Sequence, residues 1–132
     1  MRHAQFLTGL ETKLKDDRDD VIIIAHPLIF YSAIIQCEIA VPVLFESDGS
    51  SVPRLPIIYN IWGNRAHREG VLHDFLFRKN AFPSVGWSVA NDIFFEAMES
   101  LTKPWWLKYP MYTAVCVASH PAYHRKMVED KL

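Results

Sequence analysis

Apolar residues recur along this chain with two different periods. From residue 21 to residue 45 they come in short runs rich in Val, Ile and Phe, and after Asn64 they return every three to four residues. The first pattern belongs to strands and the second to amphipathic helices. Val21-Ile22-Ile23-Ile24-Ala25-His26, bounded by charge on one side and Pro27 on the other, is predicted to be a buried strand. Residues 28–33 and 34–40 continue the same composition, and residues 6–14 are expected to supply a short first strand. Val41-Pro42-Val43-Leu44-Phe45 is expected to be a further strand. Pro42 confines it to an edge or a strand start, because proline has no N–H to give to a ladder. The first 46 residues therefore predict a small antiparallel sheet.

Asn64 is placed to cap a helix over about residues 65–79, with Asn80 and Pro83 as its stop. Ser84 reads as the N-cap of a second helix reaching about Thr102. Within it Ala90, Ile93, Phe94, Ala97, Met98 and Leu101 form one apolar stripe. The short connection makes these two helices an antiparallel pair. Pro104 suits the first turn of a last helical region, in which Pro110 kinks or restarts the helix and which Pro121 ends. Between the two regimes, Asp48-Gly49, Ser50-Ser51, Pro53 and Pro56 describe a loop of fixed shape. The expected architecture is a single α+β domain over residues 1–132. About residues 1–46 are β-rich, 47–63 are the shaped proline loop, and 64–120 are helical.

Composition narrows the function classes. Half of the 132 residues are apolar, 22% are charged and the net charge is -1. That balance suits a globular protein and gives no basic face for nucleic acid. The longest apolar run, residues 28–35, is broken by Ser32 and too short for membrane insertion. Met1-Arg2-His3 is followed by no long apolar segment, so no signal peptide is expected. Cys37 and Cys116 have no CxxC neighbour, which excludes a zinc knuckle; two buried free thiols are expected, with a disulfide as the alternative. The run Lys13-Leu14-Lys15-Asp16-Asp17-Arg18-Asp19-Asp20 is read as a solvated turn between strands. Trp105-Trp106 is expected to pack as a corner on the core, with a docking patch as the alternative. His120 and His124 have the HxxxH spacing of a helical metal site, but Pro121 argues against a regular helix there.

The chemistry-bearing residues cluster in three segments. His73-Asp74 sits inside the apolar run of the first helix, Asp48, Ser51 and Arg54 lie in the shaped loop, and Asp92 lies in the second helix. General base catalysis on water needs a His held in one tautomer by a carboxylate. His73 would be the base and Asp92 its orienter. Asp74 and Asp48 could bind a divalent cation, and Arg54 an anionic group. Ser51 is a weaker nucleophile candidate, since no nucleophile-elbow pattern surrounds it. The same residues could equally form a structural brace that stitches the loop to the helix pair.

A resemblance enters at these residues. Val41-Pro42, the run from Phe45 to Arg54, His73-Asp74-Phe75-Leu76-Phe77-Arg78, and Asp92 with Phe95 and Ala97-Met98 together resemble a small family of unknown function encoded by tailed phages and prophages. Its pattern runs roughly VPxGFxTDxASxPR, then HDxLY, then AD in a following helix. This chain has Ser47, Ser50 and Phe77 where that pattern has Thr, Ala and Tyr, and Asn91 before Asp92. The helical His-Asp pair is also similar in kind to that of secreted phospholipases A2, where the His activates water and the Asp binds calcium. The phage likeness implies a phage or prophage origin and supplies no activity; the first expectation is a structural or accessory protein, tail-associated in the virion, with other phage structural proteins as partners. Homo-oligomerisation within that assembly stays open, and the location is the virion or the host cytoplasm. The alternative is a small, metal-assisted hydrolase built on His73, so whether the protein is an enzyme is left open.

Overall fold

A computed structural model describes residues 2–16, 18–48 and 67–132, with the backbone alone for residues 18–20. Among the described residues six strands precede three helices: β1 Gln5–Phe6, β2 Thr12–Lys15, β3 Arg18–Ile24, β4 Leu28–Ser32, β5 Cys37–Val41, β6 Glu46–Ser47, α1 Arg68–Leu76, α2 Trp87–Ser100 and α3 Trp105–Ala118. A 3-10 turn, His120–Ala122, follows. The α+β class expected from the two periods is what the chain forms.

The strands make two antiparallel sheets of three, ordered β1-β4-β5 and β2-β3-β6. In β4 the inward positions are Leu28, Phe30 and Ser32, and register sets Leu28 beside Val41 and Phe30 beside Ile39. Alternation along one strand thus buries a row from each. Most of the charge run is strand rather than the expected turn, since β2 ends at Lys15 and β3 starts at Arg18. β2 is an edge of its sheet, where charged side chains have open solvent beside them.

Residues 42–45 do not form the expected strand. The chain leaves β5 at Pro42 and turns through Leu44, whose φ is 71°. The turn is fixed by Leu44 N–H donating to Ile24 O (2.8 Å) and Ile24 N–H to Phe45 O (2.9 Å). It carries the chain from one sheet to the other. Proline cannot continue the ladder, so the strand stops and pairing resumes only at β6.

α1 starts at Arg68 with His67 as N-cap, and it stops at Leu76. The expected cap at Asn64 lies outside the described residues. Gly86, rather than Ser84, is the N-cap of α2. α3 runs continuously through Pro110 instead of breaking there. Glu69, early in α1, faces Lys103 beyond the end of α2, and His73 faces Asn91 in the first half of α2. The two helices are therefore antiparallel. Sheets, α1 and α2 share one core that includes Ile24, Phe30, Phe45, Leu72, Phe75 and Ile93. Phe94 and Met98 of α2 seat α3 through Leu107, Met111 and Val115. Cys37 and Cys116 are free and half-buried, not the fully buried thiols expected.

Candidate functional site

His73 and Asp74 are consecutive on α1, so their side chains leave the helix about 100° apart. Each meets a different element. His73 Nε2 donates to Asn91 Oδ1 on α2 at 2.7 Å. Ser47 Oγ on β6 donates to Asp74 Oδ2. His73 is 0% exposed, and its ring packs against Phe77 (4.1 Å between ring centres) and Phe94 (4.9 Å). Burial pulls its pKa down from 6.5 to about 4, against the opposing pull of the Asn91 hydrogen bond and the Asp74 charge. The imidazole is neutral at pH 7. Ser47, Asp74 and Asn91 are buried with it.

Asp92 is not the orienter of His73 that its position on α2 implied. The Tyr112 hydroxyl of α3 donates to Asp92 Oδ1 at 2.5 Å. That bond, then burial, holds the Tyr112 hydroxyl well above its usual pKa. The register of α2 explains the exchange. Asn91 shares the buried stripe with Phe94 and Met98 at i+3 and i+7, whereas Asp92 lies one residue round, toward α3. The orienting group is an amide, which can fix a tautomer but supplies no charge to stabilise an imidazolium.

Asp48 follows Ser47 directly and is half-buried. Ser51 and Arg54 lie outside the described residues. Among the described residues no group of three or more His, Cys, Asp or Glu side chains converges as a metal site. His124 stacks on Tyr123 (3.8 Å) and His120 meets the edge of Trp87 (5.1 Å), so the HxxxH spacing brings no pair together.

Three further residues shape this region. Arg78 is buried and spans two carbonyls, Glu46 O on β6 and Met127 O in the last segment, each at 3.1 Å. Its guanidinium lies 4.8 Å from the centre of the Phe45 ring. Glu46 in turn accepts from Leu132 N–H and Lys15 Nζ, each at 3.0 Å. The Leu132 N–H, and after it Lys15, hold this carboxyl below its usual pKa. Glu96 of α2 accepts from Ser32 Oγ (2.7 Å) and from the N–H groups of Ala33 (3.0 Å) and Ile34 (3.2 Å), closing the β4–β5 turn. Among the described residues, the buried Asn91 Nδ2 has no hydrogen bond, and Glu69 departs further from this satisfaction. It is 0% exposed, neither oxygen has a hydrogen bond, and His67 Nδ1 and Lys103 Nζ stand 3.7 Å away. Burial pushes its carboxyl pKa up.

A family model spans residues 23–115, from within β3 into α3. The chain belongs to this family, described as Protein of unknown function (DUF1353). The DUF1353 span contains both bonds of the His73-Asp74 brace, together with Arg78 and Glu96. β1, β2 and the segment that reaches Arg78 and Glu46 from residues 127–132 fall outside it. No curated protein and no solved structure matches the chain.

Sequence reasoning gave no role of their own to Asn91, Arg78, Glu96 or Ser47. Only Asn91 carried a usable signal, a polar residue on the buried stripe of the most regular helix. The partners of Arg78 are carbonyls 32 and 49 residues away, and those of Glu96 are the Ser32 hydroxyl and two backbone N–H groups 62 to 64 residues away, which no local side-chain pattern marks.

Proposed function

We propose that this protein is a non-catalytic structural or accessory component of a tailed-phage particle. Its polar cluster braces β6 and α2 to α1, and the outer face of α3 docks on the larger assembly. The observation that carries the reading is that outer face. Trp105 is 72% exposed, Trp106 42% and Tyr109 54%, so the tryptophans are not the core corner that composition favours. Exposed aromatics grouped on one element are the usual anchors of protein interfaces. The likeness to phage-encoded proteins at residues 41–54, 73–78 and 92–98 supports the particle context.

Complete burial of His73 weighs against the hydrolase reading, because a general base needs to reach the proton it takes. The neutral amide of Asn91 at Nε2 weighs the same way. The test is density-gradient sedimentation of particles released from a host carrying the gene, probed with antibody to this chain. The protein is expected in the particle band. Its absence from that band would overturn the assignment. A divalent cation that raises the thermal midpoint of the wild type but not of Asp74→Asn would restore the hydrolase in its place.

A further inference from the structure

α3 is apolar on both sides. Leu107, Met111 and Val115 point into the protein, while Trp105, Tyr109, Thr113 and Val117 form an exposed row on the opposite side. Val117 is 79% exposed. No charged residue lies in that row. The one charged residue of the helix, Lys108, is held by Glu99 at 3.7 Å and lies over the Phe95 and Tyr109 rings. A helix that is apolar all round is a buried helix in its working state.

Two chemistries could bury it. A bilayer core is about 30 Å thick, and 14 residues at about 1.5 Å each cannot cross it. Among the described residues no helix is long and apolar enough to do so. A helix lying in a membrane surface carries a polar face rich in Lys and Arg, and α3 has a single, engaged lysine. That leaves protein.

We infer that the partner is a second copy of this chain, paired through α3 in antiparallel fashion. The exposed row tapers, with Trp105 and Tyr109 at one end and Thr113 and Val117 at the other. A two-fold axis near Met111 sets Trp105 against Val117 and Tyr109 against Thr113, large against small at each level. Because the row is uncharged, no like charges meet. The exposed parts of Trp105, Trp106, Tyr109 and Val117 amount to roughly 500 Å² per copy, at about 250 Å² for a whole aromatic side chain. That is below the ~800 Å² per partner of a standard interface, in the size range of transient pairs, so the pairing is looked for at high protein concentration. The inference rests on the docking reading of α3, and it names the partner of that face.

Sedimentation velocity under reducing conditions, from about 1 to 300 µM, tests it. The wild type is expected to pass from monomer to dimer. Trp105→Lys and Val117→Glu should each weaken the dimer at least tenfold while keeping the wild-type circular dichroism. An equimolar mixture of the two variants should recover part of the loss, because the new lysine of one chain then meets the new glutamate of the other. If Trp105→Lys does not fold, Thr113→Glu takes its place as the disrupting variant. The inference is overturned by a wild type that is monomeric throughout, by a dimer indifferent to these variants, or by a mixture no tighter than its components. A monomer that binds phosphatidylglycerol–phosphatidylethanolamine vesicles overturns it too. A monomer still found in the particle band sinks the pairing and leaves the proposed function standing. A dimer absent from particles does the reverse.

Discussion

Acid should weaken this protein through the buried side chain of His73. The unfolded chain binds a proton at His73 with a pKa near 6.5, whereas the folded site holds it at about 4. Between those values the unfolded state binds more protons, so stability falls as pH falls. The contribution is flat above pH 6.5, drops by about 1.4 kcal/mol per pH unit down to pH 4, and is flat below, a loss of about 3 kcal/mol in all. Carboxylates titrate in the same range and must be separated from it. Glu46, with its lowered pKa, stabilises above 4.5 and loses that contribution in acid, while Glu69, with its raised pKa, is most favourable in acid. A reference without the His73 titration is His73→Phe with Asn91→Leu. The phenyl ring keeps the packing against Phe77 and Phe94, and the second change leaves no orphaned amide. Asn91→Leu alone strands the buried His73 N–H and should cost about 1–3 kcal/mol at pH 7. Urea denaturation from pH 7.5 to 4 would measure both. The double variant should sit near the wild type at pH 7 and above it at pH 4.5. Parallel curves over that range, or a His73 proton resonance titrating near 6.5 in the folded protein, would refute the reasoning.

Three other side chains give expectations of known sign. Glu69→Met removes a buried carboxyl without hydrogen bonds and should stabilise by about 1–2 kcal/mol at pH 8 and by less at pH 5, read by thermal denaturation at both pH values. Glu96→Ala strands the N–H groups of Ala33 and Ile34 and should cost about 2 kcal/mol, with hydrogen exchange at those two amides accelerated before the rest of β4 and β5. Leu44 holds a left-handed φ and is 59% exposed, so Leu44→Asn should raise stability by about 0.5–1 kcal/mol in urea denaturation.

How far the fold could be read in advance follows the range of the forces involved. The stripe Ala90, Ile93, Phe94, Ala97 and Met98 is a local periodic signal, and all five are buried in α2. The division of six strands into two sheets is not local. It depends on Leu44 turning the chain from β5 to β6 and on β1 crossing to pair with β4, through backbone bonds that any sequence can make. Helix ends follow the same rule. Gly86 rather than Ser84 begins α2, because the cap position is set by where the apolar stripe docks. Within the candidate site, the His73-Asp74 pair was legible as polar residues in an apolar run. Its partners were half legible. Ser47 and Asn91 are each adjacent to the residue that chemistry would choose, Asp48 and Asp92, because a step of one residue changes face on a strand or a helix.

That single-residue step bears on function. A carboxylate at Nε2 would have favoured a protonated, catalytically useful His73, and the helix offers one at residue 92. The fold instead directs Asp92 to Tyr112 and gives His73 a neutral amide, within a shell of Phe77 and Phe94. The outcome is a histidine locked neutral, and Asp74 beside it holds Ser47 on β6. One helical turn thereby ties the second sheet to α2. Further bonds rivet the same strand from the other side, where Arg78 holds Glu46 O and the Glu46 carboxylate takes Lys15 and Leu132. Polar side chains in this interior are spent on holding β6, α1 and α2 in register, and the outside of α3 is among the apolar surfaces left exposed. That interior bracing and the exposed aromatic face of α3 are what support the proposed place in an assembly.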